Sequence, residues 1–282
     1  MTSSASTQRF AVIGNPVSHS RSPSIHMRFA QQLGIDLAYT RIEAPIDDFE
    51  QVVTAFFEQG GRGLNVTVPF KARAHVMASA ALSTRAAQAA AVNTLWHDGT
   101  RIHGCNTDGV GLLGDLIRLG AWSSRAHVLI VGAGGAARGV VGPFLDATQG
   151  EIRVVNRTAA RAHELVNTFG GPARLSAGAL ADACRSGGWD IVINATSSSL
   201  SDAAPDLPAG LYASGSWAYD MMYGSAPTPF MRQAQADGAV HTADGLGMLV
   251  GQAAESFSIW HGVQPDVQPV LTALRAELDL AA

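Results

Sequence analysis

The chain has 282 residues, of which 47% are hydrophobic and 15% charged, and its 19 basic and 23 acidic residues leave a formal net charge of −4. This length suits about two domains, and the composition excludes a disordered tail, a coiled coil and a collagen-like chain. The near balance of charge gives no electrostatic footprint for nucleic acid or an anionic membrane, and the expected partner is a small molecule.

Two further features concern the compartment. The two cysteines, Cys105 and Cys184, cannot form a disulfide framework, which favours a reducing environment. No segment has the roughly 18 uninterrupted apolar residues of a membrane-spanning helix, and the opening MTSSASTQ lacks the regions of a signal peptide. We therefore expect a cytoplasmic protein; monomer and homodimer remain alternatives.

The first third of the chain predicts alternating strands and helices. Ser22 and Pro23 are typical of a helix start, with the serine at the N-cap, and Gly34 marks the end of that helix. Asp98 and Gly99 predict a hairpin turn. The predicted strands are 9–13, 37–43, 64–68, 92–97 and 101–103, and the predicted helices are 23–33, 46–57 and two segments between about 70 and 90.

The alternation becomes plainer from residue 127. The predicted strands there are 127–131, 152–155, 190–193 and 217–219, and the predicted helices are 110–119, a segment reaching about 145, 159–169, 246–260 and 266–280. Strands that alternate with helices in units of about 30 residues are typical of a parallel, doubly wound sheet. We place the domain boundary near Asp108.

A glycine-rich turn follows the strand at 127–131. Its residues fit GxGxxA at a strand–turn–helix junction: Gly132, Ala133, Gly134, Gly135, Ala136 and Ala137. The first glycine permits a tight turn, and the second lets backbone N–H groups approach a pyrophosphate at the helix N-terminus. The turn predicts dinucleotide binding in a Rossmann-type domain, and the alternative is a purely steric turn.

The next predicted strand ends in Asn156, Arg157 and Thr158. Enzymes that bind NAD usually carry an acidic residue here for the ribose 2′-hydroxyl, and none is present. Arg157 and Arg161 can instead bind a 2′-phosphate, although two solvated arginines on an exposed helix remain the alternative. The sequence therefore predicts NADP rather than NAD.

The first domain carries small polar residues where strands are expected to end. Asn65 and Thr67 share one face of the predicted strand 64–68, and Lys71 lies just beyond its carboxyl end, where open α/β sheets bind ligands. Asn93-Thr94 and the run 106–108 (Asn-Thr-Asp) add amides, hydroxyls and a carboxylate. The set suits a polyhydroxylated ligand, and ordinary turn chemistry is the alternative.

Nine segments in series resemble the signatures of the shikimate dehydrogenase family. They are GNPVSHSRSPSIH (14–26), NVTVPFK (65–71), AVNTL (91–95), GCNTDGVG (104–111), GAGGAARG (132–139), NRT (156–158), NATS (194–197), DMMYGSAPTPF (220–230) and DGLGMLVGQAA (244–254). Each is weak alone, but together they cover nearly the whole chain in the family's order. The resemblance implies NADPH-dependent reduction of 3-dehydroshikimate to shikimate in aromatic amino acid biosynthesis.

The resemblance also implies residue roles. Lys71 and Asp108 match the family's catalytic pair, and Ser20 and Ser22 would hold the substrate carboxylate. Thr67, Asn93 and Gln252 would bind ring hydroxyls, with Asn65, Lys71, Asp108 and Tyr223 also contacting the substrate. The implied cofactor contacts are Gly132, Ala133, Gly134, Gly135, Ala136, Asn156, Arg157, Thr158, Arg161, Met221 and Gly245. Residues 1–107 with 245–282 would form the substrate domain, and 108–244 the NADP domain.

Three positions depart from the family pattern. Ala90 replaces a usual glycine, which we expect to matter little, and Ser199 stands where glycine is common. Thr84 occupies the place of an acidic residue that some members use near the cofactor, so that role is not carried over.

Other functions are less well supported. No His or Cys spacing predicts a metal site, and no GxSxG nucleophile elbow occurs. A broader quinate/shikimate dehydrogenase using NAD would need the acidic residue that is absent after strand 152–155. A regulator that has lost catalysis would not need both Lys71 and Asp108.

Overall fold

A computed structural model of the chain describes residues 7–196, 198 and 202–280. Its internal contacts divide the chain into two units. Unit one comprises the chain up to Thr107 together with Gln252–Val270, and unit two comprises Asp108–Gly251 together with the chain from Leu271. Two of the three boundaries between the units lie within helices, one in α9 (Leu246–His261) and one in α10 (Val267–Leu280).

Unit one is built on a five-stranded mixed sheet in the order β2-β1-β3-β4-β5. The strands are β1 (Gln8–Gly14), β2 (Leu37–Glu43), β3 (Gly61–Val66), β4 (Thr94–His97) and β5 (Ile102–Cys105). The first three strands are parallel, and β4 and β5 form the predicted antiparallel hairpin. The carboxyl ends of β1 and β3 consequently lie side by side.

Helices cover both faces of this sheet. They are α1 (Ser22–Leu33), α2 (Phe49–Glu58), α3 (Lys71–Met77) and α4 (Thr84–Ala89), with a short 3₁₀ turn at Ile46–Asp48. Alternate residues of β1 face opposite sides, as in any strand. Ala11 and Ile13 pack in one core cluster with Phe49 and Phe70, whereas Phe10 stacks on Trp260 of α9.

Two predictions in unit one were wrong in detail. The strand predicted at 64–68 ends at Val66, and Val68, beyond it, is 65% exposed. The chain leaves the sheet before Pro69, so Thr67 does not share a strand face with Asn65. Ser22 is the first helical residue of α1, and Arg21 occupies the N-cap without a side-chain capping bond.

Unit two contains a six-stranded, fully parallel sheet in the order β11-β10-β9-β6-β7-β8. The strands are β6 (Val128–Val131), β7 (Ile152–Val155), β8 (Leu175–Gly178), β9 (Trp189–Asn194), β10 (Tyr212–Asp220) and β11 (His241–Asp244). Read from β6 outward, this is the 3-2-1-4-5-6 order of a doubly wound dinucleotide-binding sheet. The predicted fold class, α/β with a Rossmann-type domain, is confirmed.

Both faces of this sheet are buried. Val128 and Ile130 of β6 pack in one apolar cluster, and Leu129 and Val131 pack in another. The covering helices include α5 (Asp108–Arg118), α6 (Gly135–Ala147), α7 (Ala159–Asn167) and α8 (Pro229–Ala236), with a short 3₁₀ turn at Leu180–Ala183. Burial on both faces explains why these strands read as continuous apolar runs in the sequence.

Candidate functional site

The glycine-rich turn of unit two joins β6 to α6. Gly132 has a φ of +114°, and a Cβ at this position would lie 3.1 Å from Thr196 Cγ2. Ala133 packs in the core, whereas a Cβ at Gly134 or Gly135 would meet no described atom within 4 Å. The turn therefore requires glycine at its start and leaves open space at the helix N-terminus.

That helix N-terminus suits an anionic group. Gly134 is the N-cap of α6, and no side chain caps the first turn, where Ala136 lies. The N–H groups of the first turn have no partner within the helix, and the helix dipole adds partial positive charge. The turn thus fits the pyrophosphate of a dinucleotide, and Gly132 to Ala136 would hold it.

A cavity of about 470 Å³ lies at the carboxyl end of β7. Its lining residues include Asn156, Arg157, Thr158, Arg161 and Thr196. Asn156 Nδ2 donates to the Thr158 carbonyl at 2.9 Å, which fixes the turn into α7. Both arginines are exposed, and no carboxylate of the described residues lies within 4.0 Å of either guanidinium. The cavity therefore offers two guanidinium groups, which fit the 2′-phosphate of NADP, together with one carboxylate, that of Asp206.

Met221 and Gly245 lie together at the carboxyl ends of β10 and β11. A Cβ at Gly245 would lie 2.1 Å from the Met221 carbonyl oxygen, so only glycine fits this approach. The buried Asp220 holds the turn from beneath, because its carboxylate accepts from Asn194 Nδ2 at 3.1 Å and from the Met222 amide at 3.0 Å. The predicted nicotinamide-lining positions are thus adjacent and rigidly supported within unit two.

In unit one, Ser20 and Ser22 stand at the entry to α1. Their Oγ atoms are 3.2 Å apart, and the Ser22 amide donates to Ser20 Oγ at 3.3 Å. Ser22 begins the helix, so both hydroxyls lie at its N-terminus, where the helix dipole favours an anion. This pair is placed to bind a carboxylate.

A buried polar network occupies the end of β3. Tyr39 donates its hydroxyl to Asn65 Oδ1 at 2.6 Å, and burial raises the pKa of Tyr39 well above its usual value, so the phenol remains a donor. Asn65 Nδ2 in turn donates to Ser256 Oγ at 3.0 Å. The amide orientation of Asn65 is therefore set by its neighbours.

Asn93 belongs to the same network. Its Oδ1 accepts from the Thr107 amide at 2.9 Å and from Thr94 Oγ1 at 2.8 Å, and Thr94 Oγ1 lies 2.8 Å from Ser256 Oγ. Asn65 and Asn93 are each at most 5% exposed. Their side chains support the site wall, with only a small surface of each left for a ligand.

The remaining predicted residues are distributed between the units. Thr67 and Gln252 are half-buried in unit one, as is Lys71, the first residue of α3, whose carbonyl accepts from the Val92 amide at 2.9 Å. That bond ties the start of α3 to the segment preceding Asn93. Asp108, in unit two, is the buried first residue of α5, and the half-buried Tyr223 follows Met222 beyond β10.

Sequence reasoning missed three features of the site. Tyr39 and Ser256 orient Asn65, and the position of Ser256, one helical turn after Gln252 on α9, was an available signal. The third is that Lys71 is the single lysine among the 19 basic residues.

The departures from the family pattern have different outcomes. Thr84 is the exposed first residue of α4, capped by Ser83, and Ser199 lies outside the described residues. Ala90 has a φ of +48°, in the left-handed region that favours glycine, so the replacement places an alanine in a conformation that glycine adopts more easily.

Within the described residues, no three His, Cys, Asp or Glu side chains are grouped to bind a metal ion. None of the helices described has both the length and the apolar character to cross a membrane. A doubly wound sheet, a glycine-rich turn at a helix N-terminus and a cavity lined by two arginines are features of the NADP-dependent α/β oxidoreductases.

Comparison with known proteins narrows this class. Three family models match: the shikimate dehydrogenase substrate binding domain at residues 12–95, shikimate/quinate 5-dehydrogenase at 118–201, and the shikimate 5′-dehydrogenase C-terminal domain at 245–275. Shikimate dehydrogenase (NADP(+)) of Bordetella avium is 61% identical over 99% of both chains.

Solved structures agree. An Ael1 enzyme from Pseudomonas putida has a TM-score of 0.88 at 43% identity, covering 95% of this chain and 98% of that one. Shikimate 5-dehydrogenase from Thermus thermophilus, solved with NADP(H) and shikimate, has a TM-score of 0.84 at 34% identity, covering 96% and 100%.

The chain belongs to the shikimate dehydrogenase family, whose NADP-dependent members interconvert shikimate and 3-dehydroshikimate in aromatic biosynthesis. The predicted family, enzyme class and NADP cofactor are confirmed.

Proposed function

We propose that this chain reduces 3-dehydroshikimate to shikimate reversibly, with Lys71 and Asp108 as its acid–base pair. The observation that carries the assignment of Lys71 is that every other basic side chain, 18 of 19, is an arginine. A guanidinium cannot release its proton in the physiological range, whereas an ammonium can. Among the lysine and arginine side chains, position 71 alone carries a group that can release its proton.

The proposed chemistry is a balanced carbonyl reduction. When bound, NADPH would supply the hydride that the carbonyl carbon of the substrate accepts. As the C=O bond becomes a C–O single bond, the Lys71 ammonium donates a proton to the oxygen, with Asp108 as the second member of the proposed acid–base pair. In the oxidation direction, Lys71 accepts that proton.

Substrate binding is assigned to polar groups at the strand ends. Ser20 and Ser22 would bind the carboxylate, supported by their position at the start of α1. Thr67, Asn93 and Gln252 would bind ring hydroxyls. Asn65 and Tyr223 complete the proposed set. The side-chain amide of Asn65 is oriented by its hydrogen bonds to Tyr39 and Ser256.

NADP binding is assigned to unit two. Gly132, Ala133, Gly134, Gly135 and Ala136 would hold the pyrophosphate, and Met221 and Gly245 would line the nicotinamide. The adenosine end would lie on Asn156, Arg157, Thr158 and Arg161, supported by the cavity that they line.

We also propose that residues 1–107 with 245–282 act as the substrate domain and 108–244 as the NADP domain. The presence of two cysteines, both free, supports a cytoplasmic location. Monomer and homodimer remain the proposed alternatives for assembly.

Steady-state oxidation with shikimate and quinate, each with NADP⁺ and NAD⁺, tests the proposal. We expect fast turnover with shikimate and NADP⁺ only. Lys71→Ala should lower kcat about 10²- to 10⁴-fold with little change in KM. Lys71→Arg is the matched control: it keeps the charge but should lose kcat as well, because arginine cannot exchange the proton. Near-normal kcat in either variant contradicts the role of Lys71.

The cofactor arm of the same experiment uses Arg157→Ala. We expect weaker NADP⁺ binding with NAD⁺ use largely unchanged, since only NADP⁺ carries the 2′-phosphate. Equal losses with both cofactors would show that Arg157 does not bind this group.

A further inference from the structure

One arginine of unit one is directed at the loop that carries Ser20. Arg41 lies on β2, 21 positions along the chain, and its Nε and Nη2 both donate to the Ser20 carbonyl oxygen, at 2.9 and 2.6 Å. A guanidinium with two N–H groups on one carbonyl holds that carbonyl in direction as well as in distance. The contact therefore fixes the peptide that follows Ser20.

The other bonds of Ser20 complete this restraint. Its amide donates to the Val17 carbonyl at 3.0 Å, and its hydroxyl lies between the amide and the Oγ of Ser22. With the amide held by the loop and the carbonyl held by Arg41, the Ser20 hydroxyl has little freedom except rotation about its own χ1. Arg41 thus determines where that hydroxyl stands relative to Ser22.

Arg41 also supplies charge that the two serines lack. Serine hydroxyls are neutral, and a helix N-terminus contributes only about half an elementary charge. Arg41 is exposed, and no carboxylate of the described residues lies within 4.0 Å of its guanidinium. Two of its five N–H groups are used on the Ser20 carbonyl, so a full positive charge lies beside the serine pair, and no described carboxylate forms an ion pair with it.

We propose that Arg41 is a positioning residue for the substrate carboxylate, which holds Ser20 in place and makes the serine pair selective for an anionic ligand. This inference rests on the proposed assignment of Ser20 and Ser22 to that carboxylate. It assigns to Arg41 an effect on binding and none on the chemical step. Its expected signature is therefore a change in the KM for shikimate at nearly constant kcat.

Arg41→Gln, Arg41→Lys and wild type are compared by steady-state kinetics with NADP⁺. Loss of a charge-assisted hydrogen bond predicts a KM for shikimate that is about 10- to 100-fold higher in Arg41→Gln, with kcat within about 3-fold and the KM for NADP⁺ unchanged. Arg41→Lys keeps the charge but cannot form both hydrogen bonds to the Ser20 carbonyl, so its KM for shikimate should lie between those of wild type and Arg41→Gln.

Arg9→Gln is the matched control. Arg9 is another exposed arginine of the same sheet that donates to a backbone carbonyl, that of Gln59 at 2.9 Å, away from Ser20. We expect its KM values to match wild type. An equal rise in the KM for shikimate in Arg9→Gln would assign the effect to loss of sheet stability and overturn the proposal.

The methyl ester of shikimate separates charge from shape. Because the ester is neutral, wild type and Arg41→Gln should differ much less with the ester than with shikimate. The KM of wild type for shikimate should also rise with salt more steeply than that of Arg41→Gln. If the ratio of the KM of Arg41→Gln to that of wild type is the same for shikimate and for its methyl ester, the proposed selectivity for an anionic ligand is wrong.

The outcomes also separate this inference from the assignment beneath it. If Ser22→Ala leaves the KM for shikimate unchanged, the carboxylate site itself is wrong. If Ser22→Ala raises it and Arg41→Gln does not, only the role of Arg41 fails. Should Arg41→Gln not fold, Arg41→Lys decides, because a KM equal to that of wild type would refute the positioning role.

Discussion

At the scale of single residues, Ala90 shows how a conservative-looking replacement acquires a cost. It ends helix α4 as the C-cap with φ +48° and ψ +34°, where its Cβ crowds the following carbonyl. Glycine adopts this conformation freely, so the native alanine is strained at this position. The sequence alone identified the exchange but not the backbone angle that makes it matter.

We expect Ala90→Gly to raise the free energy of unfolding by about 0.5–1 kcal/mol, despite the greater freedom of glycine in the unfolded chain. Ala87→Gly is the matched control, since Ala87 is exposed in the interior of the same helix and its replacement should lower stability by about 1 kcal/mol. Urea unfolding at constant pH measures both. A loss of stability in Ala90→Gly comparable to that in Ala87→Gly would contradict the strain.

At the scale of elements, the packing of α5 on α6 depends on glycine at the contact. A Cβ at Gly109 would lie 2.2 Å from the Gly139 carbonyl oxygen and 2.8 Å from Pro143 Cγ, whereas a Cβ at Gly114 of the same helix would meet no described atom within 4 Å. The close approach brings the start of α5, with Asp108, onto the helix of the dinucleotide turn. One helix thus holds both a required and a dispensable glycine.

Gly109→Ala should lower stability by about 1–3 kcal/mol, because the backbone of α6 must move, and it should reduce kcat by displacing Asp108. Gly114→Ala should instead raise stability by up to about 1 kcal/mol, since alanine is the better helix former. Thermal unfolding and shikimate oxidation of both variants provide the comparison. If Gly109→Ala is as stable as Gly114→Ala, the two helices do not pack as closely as described.

The strands and helices that the sequence predicted share a strong apolar pattern. The elements that it missed are β8, α8 and β11, and the two strands are the edges of the unit-two sheet. An edge strand such as β11 (HTAD) has no fully buried residue and so carries no hydrophobic signal. For α8 a signal existed, because Thr228 caps the helix and Pro229 stands in its first turn.

The candidate site also has features that the sequence predicts and features that it does not. The glycine turn and the two arginines were predictable, since local backbone and charge determine them. The dependence of Asn65 on Tyr39 and Ser256 was not, because those residues come from strands and helices distant in the sequence. Contacts of this kind are set by the tertiary packing of whole elements, which one sequence does not reveal.

At the scale of the whole molecule, the stability of the chain should depend on pH through a histidine that takes no part in the proposed chemistry. His26 is fully buried and stacks on Tyr39 with ring centroids 4.4 Å apart, and Trp260 lies 5.2 Å away. Burial is the main cause that lowers the pKa of His26 to about 3, opposed in part by the Asn65 side chain and reinforced by His261. The folded protein therefore holds this ring neutral.

The sign of the effect follows from proton binding. In the unfolded chain the pKa of His26 is about 6.5, so between pH 6.5 and 3 the unfolded state binds one more proton than the folded state. The contribution of His26 is therefore complete above pH 6.5 and is lost as the pH falls. Acidification from pH 7 to pH 4 should remove about 3 kcal/mol through this one residue.

His26→Phe keeps a flat ring among the same aromatic neighbours but cannot be protonated. Between pH 7 and pH 4, the free energy of unfolding should fall by about 3 kcal/mol less in His26→Phe than in wild type. Repacking around the phenylalanine can change the stability at pH 7, but it does not change this difference. His163→Gln, at an exposed histidine of α7, should keep the pH dependence of wild type. Urea titrations at several pH values give the three curves. Parallel curves for wild type and His26→Phe would mean that His26 does not carry the acid sensitivity, and that the carboxylates with lowered pKa values, Glu50, Asp98 and Glu151, account for it.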